Sequence, residues 1–166
     1  LKPFISEEFI KSEYPSKPII AVHSRDQRDS VNMIKSFYIK FPQYRWITFR
    51  DMRGLSQKEF ANTLKDCCLS VWIDDVSSYG TYPLESMKCG VPVLGLVPNM
   101  LPEWMNEDNG IWINNKTHIV DYVADYVQNW LEDNLNPNLQ ESMLKTVENL
   151  STKEEFYNTS VNLFEG

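Results

Sequence analysis

The feature that most constrains this chain is the regular alternation of short apolar runs with segments whose apolar residues recur at helical spacing. Pro18-Ile19-Ile20-Ala21-Val22-His23 reads as a buried strand that ends in the polar Ser24-Arg25-Asp26-Gln27-Arg28. From Asp29 to about Phe41, the residues Val31, Ile34, Phe37, Tyr38 and Phe41 mark one face of a helix, which Pro42 stops. Arg45-Trp46-Ile47-Thr48-Phe49 has the aromatic and β-branched make-up of a second strand. Ser56-Gln57-Lys58-Glu59 is a capping box whose helix turns Phe60, Leu64 and Cys67 inward. A third strand follows at Leu69–Ile73, a fourth at Val91–Val97 and a fifth at Ile111–Ile113.

Between the third and fourth strands, Ser77-Ser78-Tyr79-Gly80-Thr81-Tyr82-Pro83 leads into a helix running to Cys89, with Gly90 at the left-handed position that ends it. The last part is wholly helical. Ile119, Val123, Tyr126 and Trp130 mark one helix, Asn136-Pro137 opens a second, and Ser151–Glu154 caps a third. Strands joined by helix-length connections predict an α/β fold: a Rossmann-like parallel sheet sandwiched by helices, with a helical C-terminal segment over about 116–166. The 166 residues suffice for one single-core domain.

Composition narrows the partners. Lys and Arg number 16 against 23 Asp and Glu, a net charge of −7, which argues against nucleic acid and against a broad basic face for anionic lipid. No apolar run approaches the roughly eighteen residues of a membrane span, so no direct membrane insertion is expected. The three cysteines lack metal-binding or disulfide spacing and suit a reducing compartment. Asn115, Asn149 and Asn158 open N-x-S/T triplets that read as turn and cap chemistry. The chain opens with Leu1 and is expected to be a piece of something longer.

In such sheets ligands sit beyond the carboxyl ends of the strands. No G-x-G-x-x-G follows the first strand and no P-loop lysine motif occurs, so neither dinucleotide binding nor P-loop hydrolysis is supported. What remains is Arg25 and Arg28 after the first strand, and the Gly80 loop entering a helix after the third. Amides at that helix mouth and two guanidinium groups are the donors a diphosphate needs. The alternative is plain surface chemistry, with Arg25 and Arg28 paired to Asp26 and Asp29 and Glu85 a solvated first-turn carboxylate. Arg50 and Arg53 follow the second strand and read as surface residues, with the border of a nucleotide base as the alternative; the tryptophans read as packing residues, and His23 as either a ligand contact or a half-buried, hydrogen-bonded histidine.

Tyr79-Gly80-Thr81-Tyr82-Pro83-Leu84-Glu85-Ser86-Met87-Lys88-Cys89-Gly90-Val91-Pro92-Val93-Leu94-Gly95, with Leu101-Pro102-Glu103 and Asn109-Gly110 after it, resembles the donor-site region of family-4 GT-B glycosyltransferases. His23-Ser24-Arg25 is similar to the Gly-Arg that ends the first strand in that family. The resemblance implies the C-terminal, donor-binding half of a retaining hexosyltransferase, inactive alone, whose N-terminal acceptor domain is absent from this chain. It implies a nucleoside-diphosphate sugar as donor, a glycan or lipid-linked acceptor, no cofactor and no obligatory metal. A bacterial role in polysaccharide biosynthesis is implied too. The location would be cytoplasmic, with peripheral attachment to the inner face of the membrane open to the full-length protein.

Residue by residue, Glu85 would hold the ribose hydroxyls, and the backbone of Gly80, Thr81 and Tyr82 would face diphosphate or sugar. Arg25 and Arg28 would neutralise the diphosphate. The sequence departs from the family at Ser77, where a sugar-contacting glutamate is expected. That leaves the catalytic residues unassigned and allows a different sugar, a nearby substitute such as Asp75, or a domain that binds without catalysing. It keeps open a non-catalytic nucleotide-binding or interaction module, and another GT-B enzyme such as a sugar-nucleotide epimerase or polyol-phosphate transferase.

Overall fold

A computed structural model describes Ile5, Phe9 and residues 16–149. The strands are β1 (Ile19–His23), β2 (Thr48–Asp51), β3 (Leu69–Asp75), β4 (Val93–Leu96) and β5 (Ile111–Ile113). The helices are α1 (Gln27–Lys40), α2 (Gln57–Leu64), α3 (Tyr82–Lys88), α4 (Ile119–Leu131) and α5 (Pro137–Glu148). The strands form one sheet in the order β2-β1-β3-β4-β5, and every neighbouring pair is parallel.

Alternation along β1 sorts the core into two layers. Ile20 and Val22 face a cluster with Met33 and Phe37 of α1 and with Val123 and Val127 of α4. Ala21 faces the opposite cluster, with Phe60 and Leu64 of α2, Leu84 and Met87 of α3, and Leu139 and Met143 of α5. Ile5 and Phe9 are buried in that second cluster. Burial on both faces explains why the strands read as apolar runs rather than alternating ones.

Local chemistry sets the helix ends. Asp26 caps α1 by accepting from the Arg28 amide, Ser56 caps α2 by accepting from the Glu59 amide, and Asn136 caps α5 ahead of Pro137. Gly90 follows α3 at φ +79°, the left-handed turn the sequence called for. Asn115 accepts from both the amide and the hydroxyl of Thr117, so its triplet serves as a turn. A buried polar chain then fixes α3 on the sheet. The Trp72 indole donates to Ser70 Oγ at 3.0 Å, the Ser70 and Ser86 hydroxyls meet at 2.8 Å, and Ser86 donates to the Val91 carbonyl at 2.8 Å.

Several boundaries differ from the sequence reading. β2 begins at Thr48 rather than Arg45, because Pro42–Tyr44 tightens into a single 3-10 turn that carries Arg45 and Trp46 past it. Trp46 is 47 % exposed and donates to the Gln43 carbonyl, so it closes this turn instead of packing in the core. Arg50 lies within β2, not after it. α1 starts at Gln27, and its Val31 is exposed. β4 is shorter than expected, Val93–Leu96. The expected cap at Ser151–Glu154 and the Asn158 triplet lie outside the described residues.

Candidate functional site

Strand order locates a crevice. From β1 the chain turns to β2 on one side, while β3 pairs with β1 on the other. The chain therefore leaves the carboxyl ends of β1 and β3 in opposite directions, which opens a gap there. The segment after His23 and the segment Val76–Thr81 form its rims.

One carboxylate joins the two rims. The β3–β4 register shifts between Trp72 and Asp75, an irregularity that spans Asp74. Asp74 Oδ2 accepts the Arg25 amide N–H at 2.7 Å and lies 2.9 Å from the Tyr79 hydroxyl. That hydroxyl is also 3.1 Å from the His23 carbonyl, so a single O–H is shared between two acceptors. Burial, reinforced by the Asp74 carboxylate, pushes the Tyr79 phenol upward and keeps it a donor.

Tyr79 ends a 3-10 turn over Val76–Tyr79, which contains Ser77, and Gly80 follows at φ +62°. A Cβ on Gly80 would meet nothing within 4 Å, so the backbone conformation and not crowding calls for glycine. Thr81 is the cap residue of α3 but makes no side-chain bond to the helix backbone. Its hydroxyl donates to Glu85 Oε1 at 3.2 Å instead. Glu85 is only 7 % exposed, and its Oε2 is buried with no hydrogen-bond partner. Burial pushes the carboxyl pKa up, and the Thr81 bond offsets part of that shift. Leaving such an oxygen unpartnered costs roughly 1–3 kcal/mol.

His23 ends β1 on the same face of the sheet. Its ring stacks on Trp72 at 3.5 Å and 2° between planes, with Phe60 at 5.5 Å and Tyr79 edge-on at 6.3 Å. Burial lowers its pKa to about 3, so the imidazole is neutral. Its Nε2 is buried without a partner. Among the described residues, the unpartnered buried side-chain atoms are this nitrogen and Glu85 Oε2.

The remaining candidates divide. Arg25 is exposed on the rim, tied by its backbone rather than its guanidinium. Arg28 forms an exposed ion pair with Asp26 at 2.8 Å, the surface arrangement the sequence had kept as its alternative. Arg53 does the same with Asp51 at 3.4 Å. Tyr82 is 46 % exposed and leans its ring on Phe60 at 4.9 Å. Sequence reasoning gave Asp74 and Tyr79 no site role, although both lie in the stretch after the third strand where it looked for ligand contacts.

Cys67, Cys68 and Cys89 are buried thiols pushed up to about 12, which makes them inert packing groups. A cavity of about 270 Å³ between α4 and α5 reaches Ile111 at the start of β5, the sheet edge opposite the crevice. Among the described residues no cluster of His, Cys, Asp and Glu could hold a metal ion, and no helix is long and apolar enough to cross a membrane.

No protein-family model matches the sequence, and no curated protein sequence matches it. Solved structures do match in shape. The crystal structure of TarM superposes with a TM-score of 0.62 at 14 % identity, over 95 % of this chain and 37 % of that one. Sucrose-phosphate synthase from Thermosynechococcus elongatus superposes with a TM-score of 0.66 at 13 % identity, over 96 % of this chain and 49 % of that one. Both are GT-B glycosyltransferases. The fold is GT-B glycosyltransferase-like. The chain spans less than half the length of either neighbour.

Proposed function

We propose that this chain is the donor-binding half of a retaining glycosyltransferase that moves a sugar from a nucleoside diphosphate to a glycan or lipid-linked acceptor. The observation that carries the reading is Glu85: a buried carboxylate with one free oxygen, in the first turn of the helix that leaves the β1–β3 switch point. A carboxylate so placed accepts hydroxyl protons from a ribose. In this reading the Gly80-Thr81-Tyr82 backbone faces the diphosphate or sugar. Arg25 supplies positive charge from the opposite rim and stabilises the diphosphate as it leaves. Arg28, already paired, contributes less. The acceptor and any general base belong to a second half, because transfer needs both walls of a cleft.

Calorimetry with UDP, GDP, ADP and their sugars tests the binding half of this reading, with a dissociation constant below millimolar expected for at least one. Absence of binding to all of them removes the assignment. Ser77, standing where the resemblance calls for a glutamate, favours a second reading as a nucleotide-binding module without catalysis. Product analysis on the chain joined to its other half separates the two: a transferred sugar supports the enzyme, and binding without turnover supports the module.

A further inference from the structure

We propose that His23 contacts the ligand of this crevice, its Nε2 forming a hydrogen bond with an oxygen of the bound sugar nucleotide. The inference rests on the donor-site reading and extends it to a residue that neither the glycine loop nor the arginines account for.

Packing alone does not explain an imidazole here. The ring lies flat on Trp72 at 3.5 Å with Phe60 at 5.5 Å, an environment a phenylalanine would fill without a polar atom to satisfy. The structure instead keeps a nitrogen that is buried and bonded to nothing. The other such atom, Glu85 Oε2, sits on the first turn of α3, beside the same crevice. A polyhydroxylated, phosphorylated ligand answers both: hydroxyls donate to the carboxylate, and a neutral imidazole either accepts a hydroxyl proton or donates Nε2–H to a phosphate oxygen.

Two further aromatic side chains wall the stacked imidazole, Phe60 and Tyr79. Phe60 belongs to α2 and packs on Phe9 at 6.1 Å, so it is framework. Tyr79 is the last residue of a single helical turn, ahead of Gly80, whose surroundings are open, and is hydrogen-bonded to the sheet through its hydroxyl. Of the two walls, Tyr79 is the one on the crevice rim.

The chain has two histidines, so ring nitrogen signals of the ¹⁵N-labelled protein are assigned by comparison with His118→Gln. Titration with whichever nucleotide or sugar nucleotide binds by calorimetry should move the His23 Nε2 resonance and leave that of His118 in place. Because a charged ligand nearby also moves an imidazole resonance, the shift is read together with the affinities of the His23 variants. In parallel, His23→Phe keeps the stack on Trp72 and should weaken binding roughly five- to tenfold, with partial rescue in His23→Gln. If the parent binds while the His23 resonance stays still and His23→Phe binds as tightly, His23 is not a ligand contact and the donor reading stands. If the parent binds no nucleotide at all, both inferences fall together.

Discussion

The Tyr79 hydroxyl donates to Asp74 Oδ2 at 2.9 Å, and the same carboxylate oxygen accepts the Arg25 amide at 2.7 Å. The two loops of the switch point are therefore sewn together by one half-buried phenol and one carboxylate. Tyr79→Phe removes the donor and leaves the ring against Trp72. We expect a loss of roughly 1.5–3 kcal/mol in unfolding free energy, the worth of a hydrogen bond to a charged group, together with weaker nucleotide binding. Urea unfolding and calorimetry on the same variant check this. Parent-like values in both would show that the loops are held by other contacts.

Glu85→Gln separates the electrostatic role of this residue from its packing. The amide keeps the shape and still accepts from Thr81, but it loses the charge and one acceptor oxygen. Burial disfavours the charged carboxylate, so a neutral amide of the same shape is expected to change stability far less than binding. Nucleotide affinity should fall by roughly 1.5–3 kcal/mol, the usual value for a charged hydrogen bond. Equal affinity of variant and parent removes Glu85 from the site.

His23 gives the fold a pH dependence whose sign is set by burial. Its pKa is about 3 in the fold against an ordinary 6.5. Between those values the unfolded chain binds a proton that the native one refuses, so stability falls as pH drops below 6.5. By pH 5 the loss is about 2 kcal/mol relative to pH 7. Glu85 works in the opposite direction, because its raised pKa adds stability on acidification. Asp26, held down to about 2 by Arg28, changes stability only in a more acid range. Unfolding curves at pH 7, 6 and 5 should show a smaller decline for His23→Phe than for the parent. An identical decline would mean that the imidazole takes up its proton in the native state.

Much of this architecture was visible in the chain as written. Short runs such as Ile19–Val22 are apolar on both faces because helices cover both, and that is the mark of a parallel sheet. The Gly80–Gly90 segment was legible because its punctuation is local: a positive-φ glycine, an acidic first turn and a left-handed stop. β2 was misplaced because Trp46 has strand propensity, yet its indole is used to close the Pro42–Tyr44 turn. The Asp74 link to Arg25 was beyond sequence reasoning. It depends on the β1–β3 register, which sets His23 beside Trp72 and puts two residues far apart in sequence within hydrogen-bonding distance. The unpartnered state of His23 Nε2 is likewise a product of packing from three separate elements.

The two arginines after β1 should behave differently, although the sequence offers them as equivalents. Arg28 has its guanidinium engaged by Asp26, and its side chain is 86 % exposed, so its charge is already met and screened by water. Arg25 has no carboxylate on its guanidinium among the described residues, while its amide is anchored to Asp74 on the crevice rim. Its side chain therefore springs from a fixed point with its charge uncommitted, the arrangement that suits capture of a diphosphate. Arg25→Ala should weaken binding of a nucleoside diphosphate about tenfold or more at low salt. The difference should shrink as ionic strength rises, because an exposed charge is screened. Arg28→Ala should change affinity by no more than about twofold. Calorimetry of both variants at two salt concentrations decides the matter. Parallel losses would restore Arg28 to the site, and no loss at Arg25 would place the anion elsewhere on the sheet edge.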